Sequence, residues 1–148
     1  MSVSYDVFTE AFLNKVTEYD FLRLDPYNRN AIVDGYMKRA CSLFNHVCKY
    51  DLVTRDDRVR EFACDIPEEE LQEIVEIVTE GMCVEWLKPY FYRSDNLENV
   101  MNTSDFHAYS PAELLYRITN AYHEAKRDFV NMQREYSYAH GDLEDLHL

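Results

Sequence analysis

Ser110-Pro111-Ala112-Glu113-Leu114-Leu115 and the residues behind it, up to Tyr136, decide the fold. Ser110 reads as a helix cap, and Pro111 takes the first helical position, where its missing N–H costs nothing. Glu113 completes a capping box. Leu115, Ile118, Tyr122, Ala125, Phe129, Met132 and Tyr136 then alternate steps of three and four without a break. That narrow apolar seam predicts one long, straight helix that pairs with another helix. Gly141 is its expected stop, followed by an acidic tail with alternating leucines, Asp142-Leu143-Glu144-Asp145-Leu146-His147-Leu148.

Upstream, a third helix is expected to begin at Pro67 behind the cap candidate Asp65. Glu68, Glu69 and Glu70 fill its first turn, where carboxylates complement the helix dipole. Leu71, Ile74, Val75, Val78, Met82 and Trp86 carry its periodicity, and Pro89 is expected to end or kink it. A loop with a short helix is expected from Asn96 to Phe106. A second helix opens at Asp25-Pro26, cap and first-position proline, with Ile32, Tyr36, Ala40, Leu43 or Phe44, and Val47 as its buried face. Gly35 within it suggests a close helix crossing or simple tolerance. The first helix is expected from near Ser4 to about Val16, striped by Val7 or Phe8, Ala11, Phe12 and Val16. Residues 51–66 read as an exposed, mixed-charge loop that Val59, Phe62 and Ile66 pin to the core. The expected architecture is all-α: a single bundle of four main helices, a long C-terminal helix and an ordered acidic tail from about residue 139 to 148.

Composition agrees with long helices. The 148 residues include three glycines and four prolines, too few for a turn-dense β fold. An apolar share of 47%, with 12 tyrosines, provides enough buried surface to order one domain. Against 15 Lys and Arg stand 28 Asp and Glu, a net charge of −13. Such acidity counts against partners gripped through their phosphates and against anionic membrane surfaces. No stretch approaches the ~20 apolar residues of a membrane span, and Met1–Asp6 lacks the pattern of a secretory signal. Cys41, Cys48, Cys64 and Cys83 are expected to be free thiols of a reducing compartment.

A catalytic constellation is hard to find. Glycines at 35, 81 and 141 make no phosphate loop. Cys41 and Cys48 fall on one face of the second helix beside His46, but without an evident fourth metal ligand. His123 and Glu124 point about 100° apart on a helix, so they form no acid–base site. Asp56-Asp57 is flanked by Arg55 and Arg58 and reads as a surface turn.

Two features carry functional weight, and an acidic stretch stands beside them. Trp86-Leu87-Lys88-Pro89-Tyr90-Phe91-Tyr92 gathers four aromatics around a proline, either as a core corner or as a partner patch built on Trp86, Tyr90, Phe91 and Tyr92. Tyr136 and Tyr138, with the tail leucines Leu143, Leu146 and Leu148, form either a frayed terminus or a second partner candidate. Between Glu61 and Leu87 there are nine acidic residues and no Lys or Arg. Of these, Glu68, Glu69, Glu73, Glu76 and Glu80 are the candidates for a solvated or partner-facing stripe.

The run from Gly81 through Trp86-Leu87-Lys88-Pro89, then Asn102-Thr103-Ser104-Asp105-Phe106, Tyr109-Ser110-Pro111-Ala112-Glu113-Leu114-Leu115 and Arg134-Glu135-Tyr136-Ser137-Tyr138, resembles small structural proteins of tailed phages. Phe12 to Tyr19 and Tyr36-Met37-Lys38-Arg39-Ala40 extend the likeness to the start of the chain. Among such proteins it is most similar to head–tail connectors of the adaptor or head-completion type. The resemblance implies a virion protein of the neck, made in the host cytoplasm, that forms a ring beneath the portal protein, commonly of twelve copies. It implies contacts with the portal, through the tail from Tyr136 to Leu148, and with another neck or tail protein, with residues 51–66 as a further contact candidate. DNA would pass an acidic channel without specific binding. No enzyme activity, cofactor, metal or membrane is expected. Two other readings stay open: an acidic, DNA-mimicking inhibitor of a basic partner, and an enzyme or metal protein using Cys41, Cys48 and nearby His or Asp.

Overall fold

The Asp25 side chain accepts a hydrogen bond from the Asn28 N–H at 2.8 Å, the cap its sequence predicts. Pro26 follows at the first helical position. The computed structural model describes residues 2–16, 25–92 and 111–140. In chain order they form strand β1 (Val3–Ser4), helix α1 (Asp6–Lys15), helix α2 (Pro26–Phe44), strands β2 (Arg55–Asp56) and β3 (Glu61–Phe62), and helices α3 (Glu68–Tyr92) and α4 (Pro111–His140). The described residues form an all-α bundle of four helices with a small three-stranded sheet. Helix α3 lies at its centre and touches the other three.

Helix α4 packs antiparallel on α3, since Phe91 stacks on Tyr122 at 4.3 Å while His140 reaches Glu73 at 3.0 Å. Its seam is the predicted one: Tyr122, Ala125, Phe129 and Tyr136 are buried, and Ile118 and Met132 are half-buried. Ser110, the expected cap, the side chain of Leu115 and the loop from Asn96 to Phe106 lie outside the described residues. Gly81 makes the close crossing. A Cβ there would stand 2.7 Å from Phe129 Cζ and 2.9 Å from Ala40 Cβ, so three helices meet where only a hydrogen fits. Gly35, the crossing suggested by sequence, is open instead: its Cβ would meet only the Arg39 guanidinium at 3.9 Å.

Three sequence expectations need correction. The buried face of α2 is Val33, Met37, Ala40, Cys41 and Phe44, while Ile32, Leu43 and Val47 are exposed. The Ala40–Gly81 crossing sets that rotation, and it turns Asp34 toward Arg60. Of the two outcomes expected at Pro89, an end or a kink, the end is excluded, because the helix runs on to Tyr92. Phe91 stacking on Tyr122 and Tyr90 packing edge-on against Trp86 hold the last turn in place. Residues 51–66 hold a hairpin, not only a loop, in a three-stranded antiparallel sheet of order β1-β3-β2. Val3 pairs with Phe62 and Ser4 with Glu61, so the first helix starts two residues later than expected. Phe62 and Ile66 are buried as expected, whereas Val59 is 61% exposed at the hairpin tip.

That tip is fixed by polar contacts. Arg60 adopts a left-handed backbone (φ 56°), which costs a non-glycine residue about 1–2 kcal/mol. Its guanidinium donates twice to Asp34, at 2.8 Å and 2.8 Å, and once to Asp6 at 2.7 Å. Its carbonyl accepts from the Tyr5 N–H at 2.9 Å. Next to it the Tyr5 hydroxyl donates to Asp57 at 2.6 Å, and Lys38 pairs with the same carboxylate at 3.1 Å. Asp56 accepts from the Arg58 N–H at 2.9 Å, so the Asp56-Asp57 pair serves the turn.

Candidate functional site

The aromatic run after Trp86 divides between core and surface. Trp86 and Phe91 are half-buried and pack on the core. Trp86 meets Phe12 edge-on at 6.5 Å, and Phe91 stacks on Tyr122. Tyr90 and Tyr92 are exposed, Tyr92 at 62%. One helical turn therefore has an inward half that fixes α3 against α1 and α4 and an outward half exposed to solvent.

The two tyrosines near the end of α4 divide in the same way. Tyr136, expected at a partner interface, is instead a core residue at 1% exposure. It packs edge-on against Phe44 at 5.0 Å, and its hydroxyl accepts from the Lys49 N–H at 3.2 Å. Burial raises its pKa well above the ordinary phenol value. Tyr138, two residues on, is 58% exposed. Helical geometry separates the pair by about 200°, so they cannot share a face. Ala139 and His140 are helical, the last two residues before Gly141. Leu143, Leu146 and Leu148 lie outside the described residues.

The carboxylates of α3 are not one uniform stripe. Glu85 is buried against Arg39 at 3.0 Å, and Glu80 holds Lys15 at 2.6 Å. Burial alone would lower the pKa of that lysine, but the hydrogen bond and charge of Glu80 outweigh it and the pKa is raised. Glu70 accepts from the Tyr50 hydroxyl and pairs with Lys49 at 3.5 Å, and these contacts lower its pKa, the Tyr50 hydrogen bond most of all. Glu73 pairs with His140 at 3.0 Å and remains exposed. Glu68, Glu69 and Glu76 are exposed and have no ion-pair partner among the described residues. With about 100° per residue, Glu69, Glu73 and Glu76 share one outward face.

The opposite character appears on the outside of α4, a surface sequence reading did not single out. Tyr116, Asn120, His123, Arg127, Arg134 and Tyr138 recur at steps of three, four and seven and lie opposite the seam. All six are exposed, Tyr116 and the Arg127 side chain at 67% each. Glu124, Asp128 and Glu135 fall about 80–120° round the helix from Tyr116, leaving this stripe without a carboxylate. The signal was a polar period lying opposite the apolar one.

All four cysteines are free. Cys48 lies past the end of α2, its N–H donating to the Phe44 carbonyl at 3.0 Å, so Cys41 and Cys48 do not share a helix face as expected. Burial pushes the Cys41 thiol up to about 12. His46 is exposed. Among the described residues no three His, Cys, Asp or Glu stand close enough to hold a metal ion, and no helix is long and apolar enough to cross a membrane. Comparison with known protein families, curated proteins and solved structures finds no match to this chain.

Proposed function

We propose that this protein is a structural component of a tailed-phage neck, a head–tail connector whose copies form a ring beneath the portal protein. In that role it performs no chemistry. It holds neighbours together and lets DNA pass without gripping it. The observation that carries the proposal is the segregation of surface character on one rigid bundle. Unpaired carboxylates stand on the central helix, and an exposed Tyr/Arg stripe free of acid runs along the long helix. Tyr and Arg concentrate binding energy at protein interfaces, whereas acidic side chains are depleted there. The resemblance of the sequence to phage connectors adds support. So does the net charge of −13, because a ring that neutralised phosphates would bind DNA in a salt-dependent way and impede its passage.

The test is co-assembly. The purified chain is mixed with the portal protein of the same phage source and the mass of the complex measured. Several copies joining one portal ring is the expected outcome. A protein that never joins the portal contradicts the connector role.

Glu69, Glu73 and Glu76, spaced along one face of α3, favour a second reading: a DNA-mimicking inhibitor that presents carboxylates to a basic enzyme. Such a complex forms tightly in low salt and falls apart in high salt. A pull-down that recovers a basic nucleic-acid enzyme rather than the portal supports it.

A further inference from the structure

We propose that the outer stripe of α4, built on Tyr116, Arg127, Arg134 and Tyr138, docks on the carboxylate face of α3 in a second copy of this chain. The inference rests on reading the protein as a ring subunit and names the two surfaces that make the ring.

Among the described residues the stripe has no complement within its own molecule. The seam of α4 faces α3, with Phe129 against Gly81 and Tyr122 against Phe91, so the opposite side of α4 points away from α3. Arg127 has only loose, solvent-exposed contacts at 3.9 Å, to Glu124 and to Asp128. Arg134 has no ion-pair partner among the described residues, and Tyr116 and Tyr138 present most of their rings to solvent. In a chain of net charge −13, an acid-free stripe with two arginines, a histidine and two exposed tyrosines is a local reversal of character.

The complement exists on α3, where Glu73 also pairs with His140. Glu69 and Glu76 are exposed and have no ion-pair partner among the described residues, and Glu73 between them is exposed as well. The spacing also matches. Arg127 and Arg134 are seven residues apart, as are Glu69 and Glu76. Seven residues rise about 10.5 Å along a helix, so both ion pairs form together when two such helices lie side by side. Tyr116 and Tyr138 lie beyond the arginines on either side and supply apolar area that the charges alone lack. Because the two faces differ, the contact is head-to-tail, the kind that closes into a ring when the rotation allows. Glu69, Glu73 and Glu76 then belong to the subunit contact.

The test uses two variants of the full chain, Arg127→Glu with Arg134→Glu, and Glu69→Lys with Glu76→Lys. All four positions are exposed, so helical content by circular dichroism is expected to stay at the wild-type level. Sedimentation at low salt should show the wild type self-associating and each variant weakened at least about a hundredfold, because each then opposes like charges. Mixing the two variants should restore association, since each reversed face meets the other's reversed face. A wild type that remains monomeric at low salt overturns the inference, whatever the portal does. Co-assembly on the portal that persists in both variants overturns it while leaving the connector role standing. Loss in the arginine variant alone assigns the stripe to a different acidic partner and also overturns it.

Discussion

The two sides of helix α4 are made from the same thirty residues and do opposite work. Its inner side is Tyr122, Ala125, Phe129 and Tyr136, pressed onto α3 so closely that Gly81 has no room for a methyl group. Its outer side carries Tyr116, Arg127, Arg134 and Tyr138, all exposed. Tyrosine appears on both sides, which shows that residue type alone does not tell core from interface. Position on the wheel does. Tyr136 spends its hydroxyl on the Lys49 N–H inside the fold, while Tyr138 keeps its own in solvent.

Truncating the inner side should break the molecule, and truncating the outer side should not. Phe129→Ala removes a ring that is 4% exposed and leaves a cavity at the triple crossing. It should cost about 3–5 kcal/mol in denaturant unfolding, a large share of a typical domain's stability. Arg134→Ala on the outer side should stay within about 0.5 kcal/mol of wild type in the same measurement. If the two losses are equal, the division of the helix is wrong.

A smaller effect sharpens the contrast between tight and open helix surfaces. Gly81→Ala forces a methyl to within 2.9 Å of Ala40 Cβ and closer to Phe129. Overpacking of that kind costs about 1–3 kcal/mol, less the ~1 kcal/mol that alanine gains in a helix. Gly35→Ala meets nothing closer than 3.9 Å and should stabilise by about 0.4–1 kcal/mol. Thermal melts of both variants should therefore move in opposite directions.

The smallest expected effect comes from acid. Asp57 is held below the ordinary carboxylate range by the Tyr5 hydroxyl and Lys38, and Asp51 by Thr54 and the backbone N–H groups of Val53 and Thr54. A depressed folded pKa adds stability above the unfolded value and loses it as the pH falls through the folded one. The hairpin contribution should thus be complete above about pH 5 and fade below roughly pH 4. Asp57→Asn should flatten the acid limb of the stability curve. The outer stripe of α4 should leave that limb unchanged.

Much of this architecture was legible in the sequence. The Asp25 cap, the seam of α4 and the all-helical class follow from capping chemistry and period. What escaped notice depends on neighbours. Helix α2 has apolar residues on two adjoining lines, and only the Ala40–Gly81 crossing chooses Val33 and Met37 over Ile32 and Leu43. Two-residue strands carry no periodicity. The left-handed turn at Arg60 is held by Asp34 and Asp6, which are distant in sequence, so no glycine marks it. The candidate site was legible in its parts, as exposed Tyr90, Tyr92 and Tyr138 and the acidic side of α3. The Tyr/Arg stripe was not, because attention to apolar period passes over the polar period behind it.

Native mass as a function of salt tests the central claim, that one side of α4 folds the subunit and the other joins it to the next. At low salt the wild-type chain should run as multiples of its 17.7 kDa subunit. At high salt it should return to the monomer with its helical content unchanged, because screening weakens the outer ion pairs and spares the apolar seam. A strict monomer at every salt concentration, or an oligomer that separates only when the helices unfold, would contradict it.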